Sequence, residues 1–299
     1  MSIRANPNIL PDLLSSLNVV QQSLDQQDAE LASGQSINAP ADNPAGVEAL
    51  ILNHAATAQS DTFQQNINDL TDRLQTADSV LGTAVTAVNQ AISLGVEAGN
   101  SSLSDPDRQA IASNLQAIQQ QLIAIGNTSY SGTYLFSGTL VDTQPFTLDA
   151  AAPNGVTYSG NDAVNSVEIA SGASVGVNVP GDQLFENPSG NLLGSINSLI
   201  TAIQTNTGIA AASTAFGQAA SEFDAQRVSY GAALNQLQDT GAILSNQQVQ
   251  LATQATTIAG ANLADVATRF SQSELAYQSL IQAESKILNL PNLLSLIGS

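Results

Sequence analysis

Apolar residues near the start of the chain recur in alternating steps of three and four positions, with the polar Gln27 as the one gap. This spacing predicts an amphipathic helix with a narrow apolar stripe, which indicates packing against a partner helix rather than against a broad core. We call this stripe the N-terminal seam; it consists of Leu10, Leu13, Leu17, Val20, Leu24 and Leu31.

The middle of the chain carries longer helical patterns. One continues to about Ala98, and the sequence Ser104-Asp105-Pro106-Asp107 then predicts the start of another helix with Ser104 as its N-cap. A third pattern places an apolar residue at every seventh position, which predicts one long helix in a coiled bundle. This row consists of Ile209, Phe216, Phe223, Tyr230, Leu237, Leu244, Leu251 and Ile258.

The helical period is interrupted between residues 128 and 190. Short runs such as "TYLFSGT", "GVTYSG", "SVEIASG" and "VGVNVPG" are rich in β-branched and aromatic residues, and Gly, Pro and Asn separate them. This composition is typical of strands joined by turns. The pair Asn154-Gly155 is in addition a strong hairpin signal. The segment is therefore predicted to be a small β insertion.

A second narrow stripe, the C-terminal seam, consists of Leu263, Val266, Phe270, Tyr277, Leu280 and Ile287. The predicted fold is mainly α with a small β insertion: a long antiparallel helical rod, capped by a β-rich domain, with coiled-coil terminal helices. The predicted segments are an N-terminal assembly helix and loop (1–46), rod helices (47–127), the β-rich insertion (128–190), returning rod helices (191–260) and a C-terminal assembly helix (261–299). The two seams are expected to pack chiefly in an assembly.

Charge and composition narrow the possible partners. The chain has 25 acidic and six basic residues, and no Lys or Arg lies between Arg108 and Arg227, so nucleic acid and anionic membranes are disfavoured. The absence of cysteine excludes disulfides and thiolate metal sites. No stretch reaches transmembrane length, and the first residues lack a signal-peptide core. These rules alone predict a cytoplasmic protein, unless it is exported by a route that leaves no cleavable signal.

Candidate chemistry is sparse. His54 is the only histidine and lies among alanines, so a packing or surface role is favoured over a role as base or ligand. Asp105 with Asp107, or Asp42 with Asp162, could be imagined as metal ligands, but capping and turn roles explain these residues better. We therefore predict no catalytic residue, no metal site and no cofactor, and the protein is not expected to be an enzyme.

One loop does not fit the helices around it. Residues 31–46 read "LASGQSINAPADNPAG", with two prolines, two glycines and an Asp-Asn pair between two helical patterns. Helix–helix connections usually need only a few residues. The loop is therefore a hinge, a ligand site or an assembly element.

The same loop resembles the N-terminal signature of the flagellin superfamily, and "LADVATRFSQSELAYQSLIQAESKILNL" resembles the terminal helix of that superfamily. The runs "YLFSGT" and "YSGN…VNVPGDQLF", together with Pro44, are similar to its hook-associated branch rather than to filament flagellins. There are departures. Pro7 and Pro11 predict that the first helix begins later than is usual, and Gln35-Ser36 stands where a basic residue is common.

The resemblance implies a function in the bacterial flagellum. It implies an extracellular structural protein, exported without a cleaved signal peptide through the type III route, that self-assembles as the junction between hook and filament and is required for filament attachment and motility. The implied partners are other copies in a ring, another hook-associated protein, flagellin and an export chaperone, with neither nucleic acid nor membrane. The alternatives are filament flagellin, a type III secretion tip protein, and an enzyme or polysaccharide-binding module in the β part.

The resemblance also implies roles for individual residues. The two seams would form the assembly interface, and the loop would be a shaped joint at which Asp42 and Asn43 cap the following helix while Gly34 and Gly46 permit sharp turns. We call residues 34–46 the joint loop. Its implied joint residues are Gly34, Ile37, Asn38, Asp42, Asn43, Pro44 and Gly46.

Overall fold

The computed structural model describes residues 9–152, 154–187 and 190–288, with the side chains of residues 9, 10, 287 and 288 left aside. Helices dominate the described part. They are α1 (Ile9–Ser33), α2 (Pro44–Ala98), α3 (Asp105–Gly126), α4 (Gly181–Phe185), α5 (Leu192–Gln204), α6 (Ile209–Ala259) and α7 (Leu263–Leu288). The strands are β1 (Ser129–Tyr130), β2 (Thr133–Tyr134), β3 (Phe146–Leu148), β4 (Val156–Tyr158), β5 (Ser166–Ala170), β6 (Ala173–Gly176), β7 (Glu186–Asn187) and β8 (Gly190–Asn191). The predicted fold class, mainly α with a small β part, is confirmed.

The chain divides into two compact units. The terminal unit contains the residues up to Ala58 and from Gln248 onwards, and the central unit is Gln59–Gln247. Helices α2 and α6 contribute residues to both units, whereas α1 and α7 belong to the terminal unit and α3, α5 and the strands to the central unit.

The core of the central unit is built from the seven-residue rows of the sequence. In α6 the predicted row is buried from Phe216 to Leu244, and it faces a similar row in α2 that includes Leu74 and Leu81. Helices α3 and α5 add a further layer, with Leu115 among its buried residues. A repeat of seven keeps successive apolar side chains on one side of the helix, so the whole row lies against its neighbours.

Helix α3 begins as its sequence predicts. The Ser104 hydroxyl accepts a hydrogen bond from the Asp107 backbone N–H, and the Asp107 carboxylate accepts one from the Ser104 backbone N–H, both at 3.4 Å. This reciprocal capping box satisfies two backbone donors at the start of the helix. Asp105 pairs with Arg108 in the first turn. Both carboxylates therefore have local roles in beginning the helix.

The β part consists of antiparallel two-stranded hairpins around a cluster of aromatic rings. Phe185 lies 5.9 Å from Phe136, 5.3 Å from Phe146 and 5.3 Å from Phe223 of α6, measured between ring centroids. The run "TYLFSGT" is a strand only at Thr133–Tyr134; Phe136 has left the ladder and is fully buried. Such residues were expected to be strand, and they instead anchor the insertion because their apolar bulk fits the core.

The Asn154-Gly155 signal does mark a hairpin, between β3 and β4. The connection is longer than a two-residue turn, since β3 ends at Leu148 and β4 begins at Val156. Gly155 has φ = +71°, in the left-handed region that favours glycine. The dipeptide therefore supplies the positive φ at the end of a longer loop.

Within the part of the chain that the structure describes, one helix is apolar enough to cross a membrane by length and composition. An 18-residue window of α2 passes this test, with 33% of the window buried inside the protein. The expectation that no stretch reaches transmembrane length is therefore wrong on hydropathy alone. The apolar rows of α2 in the central unit face the protein core, which accounts for much of its hydropathy.

Candidate assembly interface

The joint loop begins where α1 ends at a glycine. Gly34 has φ = +70°, and its N–H donates to the Glu30 carbonyl at 2.9 Å. This is the left-handed conformation with which helices commonly end, and glycine adopts it without a steric penalty. The prediction that Gly34 permits a sharp turn agrees with this geometry.

The joint loop is attached through its backbone to the turn between α6 and α7. The Ser36 N–H donates to the Ala259 carbonyl at 2.6 Å, and the Ala261 N–H donates to the Gly34 carbonyl at 3.0 Å. These bonds make an antiparallel bridge between Gln35 and Gly260. The Ser36 hydroxyl also donates to the Ala259 carbonyl, at 3.1 Å. Two turns that are far apart in sequence are thus paired.

Asp42 and Asn43 have different roles, and only one of them caps α2. The Asn43 side-chain oxygen accepts from the Gly46 N–H at 3.0 Å, which is the N-cap interaction, with Pro44 as the first helical residue. Asp42 instead accepts from the backbone N–H groups of Asn38 and Ala39, at 2.9 and 2.7 Å. The expectation that Asp42 caps the helix is wrong, because its carboxylate faces back into the loop and closes it.

Gly46 is needed for close packing rather than for a turn. It lies inside the first turn of α2, where a Cβ atom would come within 2.6 Å of the Ile37 Cδ1 atom and 2.7 Å of the Asn43 Nδ2 atom. Ile37 is buried, so its side chain fills the space that the missing Cβ leaves. The expected sharp turn at Gly46 is therefore wrong. Asn38 completes the loop by donating from Nδ2 to the Gln35 carbonyl at 2.8 Å.

The two seams meet, because α1 and α7 pack against each other as an antiparallel pair. Most seam residues are half-buried in this pair: Leu13, Leu17, Val20, Leu24, Leu31, Phe270, Tyr277 and Leu280. Val266 is buried, whereas Leu263 is exposed. The side chains of Leu10 and Ile287 lie outside the described part. Two helices alone cannot cover an apolar side chain on every side, which accounts for the partial burial.

The helix pair also exposes apolar residues that lie off the predicted seams. Val19 is 62% and Leu275 64% exposed, and Leu14 and Ile281 are exposed as well. The seam pattern alone does not identify them, since they lie beside the stripe. Large apolar side chains on both helices of one pair indicate a surface that further helices can cover.

A charged cluster joins α1 to α7 near the joint loop. The Glu30 side chain is only 6% exposed, and its Oε2 atom lies 3.3 Å from Nη2 of Arg269, whose side chain is 47% exposed. Arg269 also contacts Asp265 at 3.0 Å, and Gln26 donates to the Glu30 Oε1 atom at 3.3 Å. Neither Glu30 nor Arg269 was among the residues predicted to form the interface. The sequence offered one signal for the ion pair. Basic residues are scarce in this chain, and α7 has only Arg269 and Lys286, so each was a candidate partner for a carboxylate.

Groups with shifted pKa values lie elsewhere, in the β part and on α6, where burial raises the pKa of Tyr230. Burial raises the pKa of Tyr158 to about 12, and burial with the nearby Asp182 raises the pKa of the Glu186 carboxyl. His54 is exposed on α2. Among residues 9–152, 154–187 and 190–288, no group of three or more His, Cys, Asp and Glu side chains could hold a metal ion.

The chain is similar in sequence to known flagellar proteins. Residues 10–140 match the family model of the bacterial flagellin N-terminal helical region. Flagellar hook-associated protein 3 of Salmonella typhimurium is 28% identical over 190 residues, which cover 62% of this chain and 58% of that protein. The flagellin of Listeria innocua is 23% identical over 283 residues, covering 92% of this chain and 91% of that protein.

The fold has solved counterparts. The flagellar junction protein from Legionella pneumophila matches with a TM-score of 0.60 and 16% identity, over 71% of this chain and all of that structure. The chain spans less than two thirds of the length of the Salmonella protein that it matches. On these findings residues 10–140 resemble a bacterial flagellin N-terminal helical region, and the chain is similar to flagellar hook-associated protein 3 and shares the fold of the flagellar junction protein.

Proposed function

We propose that the chain is a structural protein of the bacterial flagellum, which forms the junction between hook and filament by self-assembly through α1 and α7. The observation that carries the proposal is the α1–α7 pair, which leaves large apolar side chains exposed on both helices. Burying such residues against further copies would be favourable by roughly 25 cal/mol per Å² of apolar surface.

The likeness to hook-associated protein 3 supports the junction over the filament. The Salmonella hook-associated protein is more identical to the chain than the Listeria flagellin, 28% against 23%. The flagellin match is the longer one, so filament flagellin is the second candidate. The proposal includes a flagellar location outside the cell and export without a cleaved signal peptide. It also includes contacts with another hook-associated protein and flagellin, help from an export chaperone, and no catalytic activity.

The joint loop would set the direction of the α1–α7 pair relative to the first turns of α2. Its backbone bridge, the closure of the loop by Asp42 and the cap by Asn43 all restrict the path between α1 and α2. In a ring, every copy must present its terminal helices at the same angle. The proposed joint residues therefore act together to make that angle reproducible.

Deleting the gene in the parent bacterium tests the proposal. Loss of a junction protein should give hooks without filaments, with flagellin released into the medium, and the wild-type gene should restore filaments. If the chain were the filament flagellin, antibody to it would label filaments along their length, whereas a junction protein should be labelled at one point. Normal filaments in the deletion strain would overturn the proposal.

A further inference from the structure

The loop between β3 and β4 contains Asn154-Gly155, the one asparagine–glycine pair in the sequence. An asparagine before a glycine can react with its own backbone. The glycine nitrogen attacks the asparagine Cγ atom, the side-chain amide leaves as ammonia, and water opens the resulting succinimide ring to aspartate or isoaspartate. Glycine favours the attack because it has no Cβ atom in the way and its backbone rotates easily. The β part therefore contains a candidate deamidation site.

The folded loop holds both reacting groups in other interactions. The Gly155 N–H donates to the Ala152 carbonyl at 2.9 Å, so the attacking nitrogen is engaged in a turn. The Asn154 side-chain amide is hydrogen-bonded to the Glu186 carboxyl. The Gly155 carbonyl in turn accepts from the Asp149 N–H at 3.0 Å, which closes the loop. Because these bonds must break before the nitrogen can reach the side chain, the reaction requires the loop to open.

The end of the loop is also packed tightly against α5. A Cβ atom on Gly155 would come within 2.7 Å of the Asn197 Cγ atom, and a Cβ atom on Gly194 would come within 3.0 Å of the Asn154 Oδ1 atom. Gly155 is buried, and its φ of +71° belongs to the closed turn. Turning the Asn154 side chain onto the Gly155 nitrogen would therefore displace it from its place beside α5.

The product of deamidation is unfavourable at this position. Burial and the charge of Asp182 already raise the pKa of the Glu186 carboxyl. Its Oε1 atom has no hydrogen-bond partner among the described residues, so the amide of Asn154 is an important donor to this carboxylate. Deamidation replaces that donor by another carboxylate, which repels Glu186 in half-buried surroundings. Isoaspartate in addition lengthens the main chain inside a closed loop.

We propose that Asn154 is a deamidation site that folding closes. The folded chain keeps its amide, whereas a chain that stays unfolded loses the amide and then forms a less stable central unit. Water is the co-reactant and no enzyme is needed. The inference does not rest on the proposed function; for a chain that is exported before it folds, the site would record how long folding was delayed.

The closing of the site by folding is tested by incubating the full-length chain at mildly alkaline pH, either folded or unfolded in guanidinium chloride. Mass spectrometry of proteolytic peptides should show conversion of Asn154 at least tenfold faster in the unfolded chain. Asp149→Ala removes the carboxylate that accepts from the Ala151 N–H and the Thr157 hydroxyl. It should accelerate conversion in the folded chain alone, whereas Asp142→Ala, at an exposed position, should not. Equal rates in the folded and unfolded wild type would overturn the proposal.

Asn154→Asp reproduces the aspartate product and tests its effect on stability. The thermal midpoint of the central unit should fall below that of the wild type at neutral pH. Since repulsion raises the pKa of the carboxyl groups involved, the loss should shrink as the pH is lowered and they become protonated. Asn100→Asp makes the same change in an exposed turn where the side-chain oxygen only accepts hydrogen bonds, and it should have little effect. An unchanged midpoint with Asn154→Asp, or an equal loss at both pH values, would contradict the proposed destabilisation.

Discussion

Replacing Arg269 by methionine should weaken the α1–α7 pair while leaving the central unit unchanged. The substitution keeps a long apolar side chain but removes the guanidinium that lies 3.3 Å from the Glu30 carboxylate. Removing one partner of a buried ion pair costs about 3–5 kcal/mol, because the remaining charge is then buried and unpaired. Here the effect is smaller, since Arg269 is half-exposed to solvent and Gln26 still donates to Glu30.

We therefore expect a loss of about 2 kcal/mol in the stability of the helix pair, which is roughly a thirtyfold increase in its opening equilibrium. Hydrogen exchange measures this directly. Amides of α1 and α7 should lose roughly that factor in protection, and amides of α3 and α5 should not change. Lys286→Met is the matched control, because it removes an exposed cation from the same helix.

The second substitution Glu30→Gln should restore most of the lost protection in the Arg269→Met chain, because a neutral amide tolerates burial better than an unpaired carboxylate. The wild type, the two single variants Arg269→Met and Glu30→Gln, and the double variant form a double-mutant cycle, which isolates the energy of the pair itself. A change below twofold in the Arg269→Met chain, or no recovery in the double variant, would refute the argument that Glu30 depends on Arg269.

Four further predictions follow. Leu17→Asp should open the α1–α7 pair and abolish filament attachment while the melting transition of the central unit stays in place, because it puts a carboxylate into the seam; circular dichroism and filament counts measure the two effects. Asn43→Ala should destabilise the start of α2 by about 1 kcal/mol, whereas Asp42→Ala should raise hydrogen exchange at residues 38 and 39 without unwinding α2. The double variant should be exported normally but attach fewer filaments. Normal filaments would contradict the joint role. Gly46→Ala should destabilise the terminal unit by about 1–3 kcal/mol through its clash with Ile37, seen as a loss of exchange protection there, whereas Ala45→Gly, next to it on the exposed side, should have a smaller effect. The Tyr158 pKa is raised by burial to about 12, so its contribution to stability is present below pH 10 and is lost as the pH rises from about 10 to 12. Tyr158→Phe should reduce the slope of that part of the pH profile in chemical unfolding, although the buried Tyr230 still contributes to it; an unchanged slope would contradict the assignment.

The long helices could be predicted because their signal is repeated many times. Each seven-residue step in α6 adds independent support, so Phe216 and Leu237 could be assigned to the core without any knowledge of the fold. The β part carried a weaker signal. The run around Phe136 is strand-like in composition, but its burial depends on the aromatic cluster that only the folded chain brings together.

The joint loop was identified from residue types, but the individual roles of its residues could not be. Asp42 and Asn43 are both good helix caps and are adjacent in sequence, so composition alone cannot tell which of them faces the helix. The path of the loop decides it, and that path depends on the bridge to Gly260, which is far away in sequence. Gln27 was visible as a gap in the seam, whereas its neighbour Arg269 was not, because contacts between α1 and α7 are not encoded locally.

The bridge between the two turns is made by main-chain atoms, so it is insensitive to which side chain stands at residue 35. A glutamine or a basic residue at position 35 would therefore leave the pairing equally undisturbed. The orientation of the terminal helices, by contrast, depends on the number of residues between the bridge and the seams. One residue added or removed within either terminal helix, between the bridge and the seam, would rotate that seam by about 100° and turn it away from its neighbour. Over evolutionary time position 35 should therefore accept many substitutions, whereas the segments between the bridge and the seams should accept almost no insertions or deletions.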